Sequence, residues 1–76
     1  MSCLICNGPA ETFTPQGDYE ERRCIACGHY RVAGTVVAQL EDGSRHFDVP
    51  PMQQVLQLER ASIPIPMISS YIARLT

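Results

Sequence analysis

Four cysteines carry the reactive chemistry of this chain: Cys3-Leu-Ile-Cys6 and, after seventeen residues, Cys24-Ile-Ala-Cys27. Two CxxC pairs at this separation read as one four-thiolate metal site. Zinc suits it, because zinc accepts thiolate sulfur, has no redox chemistry and imposes no geometry that a fold must resist. With Cys3, Cys6, Cys24 and Cys27 as ligands the tetrahedron is full and no position is left for water. A closed shell of this kind is structural rather than hydrolytic. Three alternatives stay open. Iron also fits a four-thiolate tetrahedron, either CxxC could do thiol redox chemistry if a thiolate were exposed and activated, and in an oxidising compartment the cysteines could form two disulfides.

The size of the chain gives the metal a reason to be there. At 76 residues it forms one domain, and a chain so short buries only about 60% of its unfolded surface. A structural zinc site contributes about 10–16 kcal/mol of apparent binding energy, as large as the net stability of a typical domain, about 5–15 kcal/mol. The Met1-Ser2-Cys3 start has neither the basic opening nor the apolar run of a secretion signal, and no run is long enough to span a membrane. The expected setting is therefore a reducing cytoplasm, where thiols stay free for metal.

Charge narrows the partners. The formal net charge is −2, and four thiolates around a divalent ion add another −2, giving −4. All six positive residues are arginines, which argues against a general phosphate-binding surface.

The elements that must position the cysteines follow from the punctuation around them. Asn7-Gly8 follows the first pair and Gly28 the second. Asn and Gly enter left-handed backbone cheaply, and such a turn lets amide N–H groups face the sulfurs. Residues 10–14 read as a strand, Thr14-Pro15-Gln16-Gly17 as a turn, residues 19–23 as the returning strand and residues 29–32 as a third. Beyond Gly34, Thr35 is positioned to cap a helix bearing Val36, Val37 and Leu40 and ending at Gly43, although adjacent valines also suit a strand. Asp48 and Pro50-Pro51 open another helix, with Met52, Val55 and Leu56 inward and Gln53, Gln54, Gln57 and Arg60 outward. Ile63-Pro64-Ile65-Pro66 forces extended chain. Ile68, Tyr71, Ile72 and Leu75 then predict a last helix from Pro66 or Met67 to Leu75. The expected fold is α+β: a ribbon over residues 1–34, with two knuckles on a sheet of two or three antiparallel strands, and two or three short helices over residues 35–76 packed on it.

Other candidate groups are weaker. Arg22, Arg23 and Arg31 form the one basic concentration, near Tyr19 and Tyr30, with Arg45 as a further candidate member. They could grip nucleic acid by phosphate neutralisation and stacking, but ordinary pairing with Glu11, Glu20 and Glu21 is the simpler expectation. His29 and His46 read as solvated or partly packed side chains, since four cysteines already fill the site. The last two helices could mimic a helix-turn-helix presenting Ser69, Ser70 and Arg74, though a connection with two prolines argues against it. Met52, Ile63, Ile65 and Met67 are candidates for an apolar partner-binding surface.

Cys3–Cys6, Asn7-Gly8, Cys24–Cys27, Gly28 and Tyr30 together resemble the zinc-ribbon group with rubredoxin-like knuckles. The run Cys24-Ile-Ala-Cys-Gly-His-Tyr-Arg-Val-Ala-Gly34 is similar to the N-terminal zinc ribbons of uncharacterised bacterial proteins, where Cys-x-x-Cys-Gly-x-Tyr leads into an apolar helix. The resemblance covers residues 1 to about 40 and implies zinc and a ribbon. It hardly constrains activity, since ribbons occur in transcription factors, ribosomal proteins and enzyme-appended modules. The chain departs from nucleic-acid-binding ribbons in its acidity and lack of lysine, and from rubredoxins in its shorter inter-knuckle segment and lack of tryptophan. The expectation is a bacterial, non-enzymatic zinc adaptor that engages a protein and has no small-molecule substrate or membrane contact. A nucleic-acid-binding ribbon and a thiol redox protein are the alternatives.

Overall fold

Alternation along Tyr19–Cys24 decides which side of the sheet is buried. In a computed structural model, which describes residues 2–76, this segment is β2 of a sheet with β1 (Ala10–Phe13), β3 (Gly28–Ala33) and β4 (Met67–Ile68). Helices α1 (Gly34–Glu41) and α2 (Val49–Glu59) lie in sequence between β3 and β4. The spatial order is β1-β2-β3-β4; the first three strands are antiparallel and β4 runs parallel to β3. The chain is therefore α+β, but its sheet is four-stranded and mixed where the sequence predicts two or three antiparallel strands.

Register sorts the faces. Arg22 lies opposite Tyr30, Glu20 opposite Val32 and Cys24 opposite Gly28, so these residues share one face. Arg22, Cys24, Tyr30 and Val32 are buried there. Val36 of α1, Met52 and Leu56 of α2, and Phe47 and Ile68 complete a core continuous with Cys3, Cys24 and Cys27. The opposite face carries Glu11, Phe13, Tyr19, Glu21, Arg23, His29 and Arg31.

Both predicted helix starts fall close to their places, without the predicted side-chain caps. The N-cap of α1 is Ala33, and Thr35 lies exposed inside the first turn. The reason is that α1 leaves β3 directly: the Gly34 amide is taken by the Asp18 carbonyl at 2.9 Å. Asp48 does stand at the N-cap of α2, yet its side chain makes no capping bond. Its carbonyl accepts the Met52 amide at 3.0 Å, while Pro50 and Pro51 occupy the first turn, where missing N–H groups cost nothing.

The predicted last helix does not form. The Arg31 amide donates to the Pro66 carbonyl at 2.8 Å, and this draws Met67–Ile68 into the sheet beside β3, with Ile68 fully buried next to Val32. Residues 69–73 make one turn closed by Ser69, and Leu75 ends in an isolated bridge with Phe47. Apolar spacing that mimics a helix is met by a short strand, a turn and a bridge, so the helix-turn-helix reading has no second helix. Met52, which the sequence offers both to the core and to a partner surface, is fully buried.

Candidate metal centre

Pairing of β1 with β2 brings the two cysteine pairs together. Ala10 pairs with Cys24, and Ser2 bridges to Pro9 just before β1, so the first knuckle is delivered beside the second. The first knuckle closes through Asn7 N–H to Cys3 C=O at 3.1 Å and Cys3 N–H to Gly8 C=O at 2.7 Å. Asn7 takes φ +65° and Gly28 takes φ +85°, the left-handed turns that the sequence predicts at equivalent places.

All four sulfurs lie within 4.8 Å of one another. Cys3 Sγ is 3.8 Å from Cys27 Sγ, and Cys6 Sγ is 3.5 Å from Cys24 Sγ. Metal–sulfur bonds of about 2.3 Å give tetrahedral edges of about 3.8 Å, whereas a disulfide needs about 2.05 Å. The cysteines are free thiols, and their arrangement fits one tetrahedral, thiophilic metal ion. Among the described residues they are the one cluster suited to a metal. Cys3, Cys24 and Cys27 are buried and Cys6 is half-buried.

Three further residues support the centre. The fully buried Tyr30 places its hydroxyl 3.0 Å from Cys3 Sγ and accepts the Leu4 amide at 3.0 Å, which directs its own proton to the sulfur. Gln53 of α2 donates to Cys27 Sγ at 3.3 Å. Arg60, just past α2, donates to the carbonyls of Cys27 and His29, each at 3.0 Å, and lies across Gly28. Gln53 and Arg60 thus point inward, against the sequence expectation. They share a helical face with Met52 and Leu56, and spacings of three, four and seven residues are the signal that could have found them.

Hydrogen bonding sets the thiols apart. Burial pushes the Cys3 thiol up, but the Tyr30 hydroxyl and the Cys6 and Ile5 amides outweigh it and bring it down to about 7. Burial raises Cys27 despite the Gln53 donor. The Gly8 amide favours a Cys6 thiolate, yet burial and the neighbouring Cys24 sulfur leave that thiol raised. Tyr30 is raised by burial and then by Cys3, which keeps it a neutral donor. A divalent cation would complete the centre by displacing the remaining protons.

The arginines do not gather. Arg22 is buried on the inner face, donating to Glu20 Oε1 at 3.1 Å and to the Glu21 carbonyl at 3.2 Å, with its Nε unpartnered. Arg23 and Arg31 lie on the outer face, where Arg23 pairs with Glu11. Arg31 pairs with Glu21 at 2.9 Å and sits over the Tyr19 ring at 5.0 Å. Arg22, Arg23 and Arg31 each have a carboxylate partner, as the simpler expectation had it. His29 is 2.6 Å from Glu21 and stacked on Phe13, so it faces away from the sulfurs. His46 is exposed and exchanges backbone bonds with Thr76.

No helix of the described residues is long and apolar enough to cross a membrane. Set against protein-family models, curated proteins and solved structures, the chain has no significant match in any of the three.

Proposed function

We propose that this chain is a non-enzymatic zinc-ribbon module, in which one Zn(Cys)4 site is structural and the surface it holds in place engages a protein. The observation that carries the zinc reading is the four-sulfur cluster, in which all sulfurs lie within 4.8 Å of one another and two contacts, 3.5 and 3.8 Å, are close to tetrahedral edges. A full thiolate shell leaves no open position for substrate or water, which supports structure over catalysis. The reading belongs to a reducing, cytoplasmic compartment, where such thiols remain available to metal. Protein contact is supported by Ile25, Leu58, Ile63 and Met67, which stay exposed. It is also supported by the carboxylate pairing of Arg22, Arg23 and Arg31, which removes their free charge from phosphate binding.

Native mass spectrometry should find one zinc per chain, and apo or iron-loaded chain from metal-replete cells would overturn the metal reading. A photo-crosslinker at Leu58 or Ile63 should capture a specific protein that one at Glu41 does not. Salt-sensitive binding to DNA or RNA without such an adduct would favour the nucleic-acid reading instead.

A further inference from the structure

The donors around the centre are distributed unevenly, and the imbalance singles out one sulfur. Cys3 accepts from the Tyr30 hydroxyl and the Ile5 amide, and Cys27 from Gln53. Both are buried. Among the described residues no side-chain donor other than a thiol reaches Cys6 or Cys24, and Cys6 meets the Gly8 backbone amide. These two also make the shorter sulfur contact, 3.5 Å against 3.8 Å. Cys24 is buried and Cys6 is not. Cys6 and Cys3 both border an open cavity of about 490 Å³ between the first knuckle and the segment Arg45–Val49, but Cys3 is buried and its sulfur is held by the Tyr30 hydroxyl. Hydrogen bonds to a bound thiolate draw off its electron density, so the sulfur that lacks side-chain donors and faces solvent is the nucleophile of the set.

We propose that Cys6 is the modification site of the loaded centre, taking a hydroperoxide as its reactant, and that Cys24 resolves the product. This rests on the zinc reading above. The Cys6 thiolate attacks the outer peroxide oxygen, forming an S–O bond as the O–O bond breaks and the alkoxide or hydroxide leaves with the electron pair. The Cys24 thiolate then attacks the sulfenic sulfur, forming an S–S bond and displacing hydroxide. Two thiolates lose two electrons to one hydroperoxide, and water protonates the departing oxyanions. The disulfide joins the two knuckles rather than closing either CxxC. It removes two of the four ligands, so metal is lost with it.

Gly8 supplies the control. A Cβ there would lie 3.5 Å from Cys6 Sγ, ordinary van der Waals contact, and Gly8 is not among the positive-φ residues. Gly8→Ala therefore screens the sulfur without straining the turn. The test takes full-length chain whose zinc content has been counted by native mass spectrometry and adds hydrogen peroxide. Zinc release to a chromogenic chelator and the bridged cysteines, by peptide mapping, are followed together. The expected result is a Cys6–Cys24 disulfide formed in step with zinc release, and a severalfold slower release per bound zinc in Gly8→Ala. A loaded chain in which Cys3 or Cys27 is modified first overturns the proposal alone, as does a Gly8→Ala rate equal to that of the parent. A chain that carries no zinc at the start overturns the metal reading and this proposal with it.

Discussion

The Tyr30 hydroxyl sits between an amide and a sulfur, and removing it takes the acceptor from the Leu4 amide and one donor from Cys3 Sγ. Tyr30→Phe keeps the buried ring and deletes the bond to Cys3 Sγ. Outer-shell changes of this kind typically cost about 10–100-fold in metal affinity, so competition with a chelator of known affinity should show a loss in that range. An unchanged affinity would mean that the bond contributes nothing to the loaded centre. Gly28 meets two demands at once. Its φ of +85° disfavours any Cβ, and a Cβ would come within 2.7 Å of the Arg60 guanidinium. Gly28→Ala should therefore cost at least about 1–2 kcal/mol from backbone strain, measured by urea unfolding at fixed free zinc. Glu21 carries the acid sensitivity of the outer face. His29 first, and then Arg31, hold its carboxyl below its ordinary value of 4.5, against burial, which pushes it up. Its contribution is complete above 4.5 and is lost as pH falls through the lower folded value. The stability difference between the parent chain and Glu21→Gln should shrink across that acidic window, and a difference that grows there would contradict the assignment.

At the scale of elements, β4 is the test of the C-terminal segment. Ile68 fills the core beside Val32, while Tyr71 is 92% exposed. A helix from Pro66 to Leu75 would have set the two on one face, three residues apart. In the strand-and-turn arrangement Ile68→Ala should cost about 2–5 kcal/mol and Tyr71→Ala less than about 0.5 kcal/mol, by the same unfolding measurement. Comparable losses at the two positions would restore the helix. The contrast shows what was legible in the sequence. The cysteine set, the left-handed turns at Asn7 and Gly28 and the first three strands depend on local chemistry and short spacing, and all could be read directly. β4 could not, because a two-residue parallel strand has no periodicity of its own and depends on Arg31 finding the Pro66 carbonyl. Gln53 and Arg60 were misread for a related reason. Polar side chains on an amphipathic helix are assigned to solvent unless something polar is known to wait inside, and here that something is the knuckle they bind.

For the whole molecule, the question is whether a metal at the four sulfurs would hold only the first three strands or the helices as well. The core is one cluster that runs from Cys3, Cys24 and Cys27 through Tyr30 and Val32 to Met52 and Leu56. Gln53 and Arg60 tie α2 to the second knuckle, and β4 completes the sheet from the far end of the chain. No boundary at residue 34 separates a part that could keep its core after the sulfurs disperse. In the zinc reading proposed above, a contribution of about 10–16 kcal/mol set against a typical net stability of about 5–15 kcal/mol leaves little to hold the rest. Chelation should therefore abolish the cooperative thermal transition and remove the helical circular-dichroism signal together with the ribbon, and Cys24→Ser should act the same way by opening the shell. Helical signal and melting temperature that survive verified metal removal would mean that α1 and α2 pack on their own, and that the centre staples only the knuckles.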